Sequence, residues 1–285
     1  MLSVKNTVKD SLFTHMFGDE SKEYLLQLYQ ALHPEDTEVD EKSLDLISIE
    51  NVLTNDIYND LGFMVRDKLV ILVEAQSTWS INIVVRMLFY LAKTYQSYVY
   101  KNPGMKARLY TDSKLDLPKA ELYVLYAGAK GYKPDVLSLK DEFFDSQGNV
   151  DLITKVIFAD EERDDIIGHY LAFCTILKEQ IVLYNGDKIK AIQATIDICI
   201  AQGKLTKYLS EHRREVEDYM FELLTDEEVR EAYGDYREAL GVEQGLKALV
   251  ESLKPYIDDF ETLYSAIVKN EGYSDVTREQ VKKYF

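Results

Sequence analysis

Apolar and polar positions change their period along the chain, and the changes mark its elements. Residues 8–32, VKDSLFTHMFGDESKEYLLQLYQAL, read as two helical pieces broken near Gly18. Ser21 is placed to cap the second piece, in which Tyr24, Leu25, Leu28 and Leu32 recur at helical spacing. HPEDTEVDEKS is an acidic, turn-rich connector, and residues 44–58 are expected to hold a first strand or an irregular edge. Residues 58–80, YNDLGFMVRDKLVILVEAQSTWS, then read as two apolar strands joined by a charged turn. A long helix is predicted from Ile81 to Tyr100, stopped by the Pro and Gly of KNPG. ELYVLYAGA (121–129) and VDLITKVIFA (150–159) have strand content, and nearly everything after Arg163 reads as helix.

Past residue 210 the pattern becomes more charged, with few apolar anchors. The expected division is a domain of residues 1–210 and a helical C-terminal module of residues 211–285. Thr225 with Glu228, and Thr277 with Gln280, have capping-box spacing. An amphipathic stripe of Leu249, Leu253, Ile257, Phe260, Leu263, Tyr264 and Ile267 suits either packing on the first domain or association with a partner, a second copy of the chain included.

Candidate chemistry sits in the two central strands. Leu69 to Val73 is apolar at every position, as in a central strand covered on both faces, yet Glu74 and Gln76 follow it directly. If Arg66, Asp67 and Lys68 form a three-residue loop, Asp60 stands opposite Glu74, and Gln76 shares their face. Directly opposed side chains lie about 4.5–5.5 Å apart. Two carboxylates so close repel unless a cation lies between them, and an oxygen-loving divalent ion such as Mg²⁺ suits that donor set. The bland alternative is a solvated strand end with chance carboxylates. In the following helix Asn82, Arg86, Tyr90, Lys93 and Ser97 form one polar stripe. It is either the wet face of an amphipathic helix or a set of phosphate-binding groups, Arg86 and Lys93, aimed at the carboxylates.

Composition restricts the partners. The 285 residues carry 50 acidic and 33 basic side chains, a formal net charge of −17, which repels polyanions at long range. No helix-turn-helix, zinc-finger signature or basic stripe is legible. Two cysteines without a CxxC, and four scattered histidines, fit a reducing, cytoplasmic compartment and no zinc site. The N-terminus lacks a signal-peptide core, and no apolar run approaches the ~20 residues of a membrane helix.

Asp60 opening one strand, then LVILVEAQ, resembles the core of the PD-(D/E)XK nuclease superfamily. More narrowly, YNDLGFMV followed by LVILVEAQSTWSINIVVRMLFYLAKTY is similar to the bacterial Rpn family of recombination-promoting nucleases and transposase-like proteins. DSLFTHMFGDE and LPKAELYVLYAGAK resemble that family's flanking segments, so the likeness covers roughly residues 8–205. The resemblance implies an α/β fold, a restriction-endonuclease-like mixed sheet flanked by helices, and a DNA endonuclease using Mg²⁺, Mn²⁺ or Ca²⁺. It implies Asp60, Glu74 and the main-chain carbonyl of Ala75 as metal ligands, with Gln76 in the place of the superfamily lysine. Glu20 or Glu23 would be the helix-borne acid that many members add, with Asp10 a further candidate.

Overall fold

The computed structural model describes residues 12–18, 22–47, 60–75, 79–128, 130–160, 162–224, 229, 241, 243–273 and 276–285. Backbone contacts divide the chain into two units. One comprises residues 1–129 and 134–224, the other residues 130–133 and 225–285.

The first unit is built on a six-stranded mixed sheet in the order β1-β2-β3-β4-β6-β5. Its strands are β1 (Leu44–Ile47), β2 (Asp60–Val65), β3 (Lys68–Ala75), β4 (Lys119–Tyr126), β5 (Val136–Ser138) and β6 (Ile153–Phe158). β1, β2 and β3 pair antiparallel, β4 and β6 continue parallel to β3, and β5 closes the far side antiparallel to β6. The α/β architecture with flanking helices is therefore present as expected.

The β2–β3 turn differs from the expectation. Val65 pairs with Lys68, so the loop has two residues, Arg66 and Asp67, with Arg66 at φ 55°. Two-residue hairpin loops need such a left-handed position to match the right-handed twist of their strands. Lys68 belongs to the strand although it is charged, because its ammonium finds Glu121 Oε1 at 3.6 Å and the Tyr29 hydroxyl at 3.4 Å while its stem covers apolar surface. The register moves by one residue in consequence, and Asp60 pairs with Val73, not with Glu74.

Helix α3 (Ile83–Lys101) crosses from the end of β3 to the start of β4, and Tyr95 donates to the Pro118 carbonyl at 2.6 Å. A βαβ crossover of this kind is what joins two parallel neighbours. Ile83, Val84, Met87 and Tyr90 bury against Leu69, Leu122, Val124, Tyr126, Val156 and Phe158, which forms the core on that face of the sheet. KNPG does end α3, but its proline opens a new helix. Asn102 caps α4 (Pro103–Arg108) by accepting from the Gly104 and Met105 amides, and Pro103 stands in the first turn, where no amide hydrogen is needed. A short α5 (Leu139–Phe143) follows β5.

The other face is covered by α1 (Leu12–Phe17), α2 (Glu23–Leu32) and α6 (Ile166–Leu183). Phe13, Phe17 and Tyr170 meet there with ring centroids 5.1–6.0 Å apart, and Tyr29 meets Phe63 at 6.4 Å. Each such buried ring contributes about 1.5–3 kcal/mol. The α2 N-cap position is Lys22 without a side-chain cap, and Ser21, expected to cap it, lies outside the described residues. Contrary to the expectation from apolar runs, α6 has 18 residues with a mean hydropathy of 1.3, long and apolar enough by length and composition to cross a bilayer. Its place is nevertheless that of a core helix, since Ile167, Tyr170, Leu171, Phe173 and Ile181 are buried and it packs on α2 and α7 (Lys188–Ala201).

The expected boundary near residue 210 falls inside α8 (Thr206–Glu211). The first unit continues through α9 (Arg213–Leu223) to Leu224. The α9 sequence is charged, but two of its apolar residues, Val216 and Met220, are buried, and Tyr219 stacks on His15 at 4.2 Å, while Phe221 stays half-exposed. In the second unit, helical residues 243–253 (α10), α11 (Phe260–Ile267) and α12 (Arg278–Lys282) enclose Leu246, Val250, Leu263, Ile267, Val276 and Val281. The stripe from Leu249 to Ile267 thus packs into a small core of its own. Thr277 and Gln280 form the expected capping box, while Thr225 and Glu228 lie outside the described residues.

Candidate active site

The candidate site lies where β2 begins and β3 ends. Asp60 is the first residue of β2, and Glu74 and Ala75 are the last two of β3, at the centre of the sheet. On the other side of β3, Glu74 pairs with Leu125 and Ala75 with Tyr126. Asp60 and Glu74 are thus backbone neighbours on adjacent strands, one position away from direct opposition, and the face-to-face pairing expected from a three-residue loop is absent. The described side chains stop short of Asp60, Glu74 and Ala75, and Gln76, Glu20 and Asp10 lie outside the described residues. Among the described residues, no three of His, Cys, Asp or Glu gather as a metal-binding group.

Trp79, four residues after Ala75, packs edge-on to Tyr126 at 5.3 Å and stacks on Phe158 at 6.2 Å, with Tyr126 and Phe158 5.8 Å apart. These three rings wall the carboxyl ends of β4 and β6. The chain's single tryptophan directly after the Glu-x-Gln run was the available signal for that wall, which reading charges alone passes over.

The stripe on α3 is not its wet face. Tyr90 is 5% exposed, Arg86 and Lys93 are half-buried, and the open side of the helix carries Phe89, Ala92, Gln96 and Tyr100 instead. Arg86 donates to the Tyr90 hydroxyl at 3.2 Å, and its guanidinium lies 5.9 Å from that ring's centroid. Holding a guanidinium against a buried phenol fixes its direction, which a lysine at the same position would not share.

Glu23 opens α2 and accepts from Lys207 of α8 at 2.7 and 2.8 Å. A second polar cluster, which the sequence did not reveal, stands on the α2 face of the sheet at the other end of β3. Glu121 of β4 receives the Tyr123 hydroxyl at 3.1 Å, faces Lys68 at 3.6 Å, and has Nε2 of buried His33 at 2.7 Å, off the axis of a straight hydrogen bond. Tyr29 donates on to Asp36 at 2.9 Å. Burial pushes the Tyr123 hydroxyl well above the ordinary phenol range, and the Glu121 charge adds to it.

Comparison with protein-family models, with curated proteins and with solved structures finds no match to this chain.

Proposed function

We propose that the protein is a metal-dependent DNA endonuclease of the restriction-endonuclease-like type, working in a cytoplasmic compartment. The observation that carries the reading is the placement of Asp60 and Glu74 on adjacent central strands, followed by a crossover helix into a parallel β4. Asp60, Glu74 and the Ala75 carbonyl would hold the ion, an all-oxygen donor set that suits Mg²⁺ or Mn²⁺; the reading requires Asp60, the first residue of β2, to turn its carboxylate from the face it shares with Val73 toward Glu74. When bound, such an ion polarises a phosphoryl oxygen and lowers the pKa of a coordinated water. Gln76 donates and accepts hydrogen bonds without titrating, so its part is to orient the attacking water. Arg86, steadied by Tyr90, and Lys93 neutralise the phosphate that gathers charge during attack.

Asp60→Ala and Glu74→Ala are each expected to abolish Mg²⁺-dependent nicking of supercoiled DNA while leaving the circular-dichroism spectrum unchanged. Wild-type protein inactive with both Mg²⁺ and Mn²⁺ would remove the reading. The Asp60–Val73 pairing and the neutral Gln76 favour a second one, a nuclease fold kept as a binding or regulatory module with little catalysis. Calorimetry separates the two, since an inactive descendant takes up no divalent ion at millimolar concentration.

A further inference from the structure

Between Glu74 and Asp112 the sequence has 37 residues with no carboxylate at all, in a chain that holds 50. The same stretch carries Arg86, Lys93, Lys101, Lys106 and Arg108, interleaved with seven aromatic residues. Most of it is α3 and α4. Arg86, Tyr90, Lys93, Ser97 and Lys101 recur at spacings of four and three and so share one side of α3, which is buried at Tyr90 and opens only at Lys101, where α4 follows.

The two ends of this strip differ. Arg86 and Lys93 are half-buried, whereas Lys101 and Lys106 are exposed. Elsewhere in the chain cations are commonly neutralised: Lys119 by Asp67, Lys190 by Asp187, Lys207 by Glu23, Arg213 by Asp197 and Arg278 by Glu261. Lys101 and Lys106 have no carboxylate partner among the described residues. Arg108 donates to the Lys114 carbonyl, and its one carboxylate neighbour among the described residues is the 93%-exposed Asp116 at 3.8 Å, a contact worth little in water. Lys106 lies 5.2 Å from the centroid of the half-exposed Tyr100 ring, and Tyr110 is 86% exposed. Unneutralised cations beside open rings match a strand that offers phosphates and bases together.

We propose that Lys101, Lys106 and Arg108, with the rings of Tyr100 and Tyr110, form the surface on which a DNA strand docks and is led toward the nuclease site. The proposal rests on the nuclease reading for its choice of DNA. From Arg86 to Lys101 is fifteen residues, about 22 Å of helix, or roughly six nucleotides of one strand. The strip answers how so acidic a protein holds a polyanion. Bulk charge repels the ligand, and a stretch free of carboxylates receives it locally. No basic stripe is legible in the sequence because charge counted over the whole chain hides this carboxylate-free stretch.

The test is fluorescence anisotropy with a labelled duplex of about 20 base pairs, and with the matching single strand, in EDTA over about 50–200 mM salt. The K101A/K106A/R108A protein is expected to bind at least about tenfold more weakly, its log K against log salt slope reduced by about 2.7 on duplex. Y100A/Y110A should weaken single-strand binding by about tenfold and duplex binding much less. K190A/K247A/K269A makes the same change of net charge elsewhere and should bind as wild type does. Wild-type protein that fails to bind at the lowest salt overturns the proposal. So does equal weakening by the two triple variants, or tighter binding of RNA of the same sequence. Because binding is read without metal, the two readings fail separately. Binding lost in K101A/K106A/R108A, with no cleavage by wild type, removes the nuclease and keeps the surface. Cleavage that survives with binding unchanged does the reverse.

Discussion

Replacing Glu121 with Ala tests whether the polar cluster on the α2 face stabilises the sheet. Its carboxylate serves three groups at once. The Tyr123 hydroxyl, on a residue 3% exposed, would lose its acceptor, and an orphaned buried donor costs about 1–3 kcal/mol. His33 would lose its 2.7 Å neighbour in a site where its side chain is 8% exposed. Lys68 is 28% exposed and keeps Tyr29 and water, so its share is small. The sum is a destabilisation of about 2–4 kcal/mol. Adding Tyr123→Phe should then cost less than it does in the wild type, by about 1–2 kcal/mol, because the orphaned hydroxyl is gone. Urea unfolding followed by the fluorescence of Trp79 reads the first unit alone, since that is the only tryptophan and it packs on Tyr126 and Phe158. A loss under about 0.5 kcal/mol for Glu121→Ala, or strict additivity of the pair, would refute the reasoning.

Two further outcomes follow from the fold. A chain ending at residue 210 should unfold at clearly lower urea than one ending at Leu224, because it loses the burial of Val216 and Met220, each about 1.5–3 kcal/mol; equal midpoints would put the boundary back at 210. Asp151 accepts from the Lys140 and Leu152 amides and from the Ser138 hydroxyl, contacts that hold its carboxyl below the ordinary 3.8. A carboxylate with a lowered folded pKa stabilises above its unfolded value and ceases to as pH falls through the folded one. The urea-midpoint gap between wild type and Asp151→Asn should therefore be largest at neutral pH and narrow below 3.8, and a gap that stays constant into acid would count against the contact.

Much of the architecture was legible because it rests on period and punctuation. The apolar run 69–73, the long helix after it and the strands near 121 and 153 all lie where the pattern put them. The register was not legible, for a reason specific to Lys68. A charged residue beside a turn reads as part of the turn, but its ammonium is satisfied by Glu121 and Tyr29, groups 53 and 39 positions away. β5 escaped because three residues are too few to show alternation. The α9 boundary escaped because a charged helix can still anchor itself through as few as two buried residues, here Val216 and Met220. At the site, spacing alone found the α3 stripe, yet only packing told that Tyr90 is inside and Lys101 outside.

On one side the sheet ends in β5, a strand of only three residues, and on the other stands β1. A sheet's outermost strand is a template on which another chain can hydrogen-bond, and its reach grows with its length. β1 also carries Asp45, its side chain 82% exposed, close to Lys22. The β5 side thus offers little to a stray β-segment, and at β1 such a segment meets the Asp45 carboxylate. Resistance to fibre-like aggregation on the β5 side comes from the shortness of its last strand as well as from the repulsion of like charges.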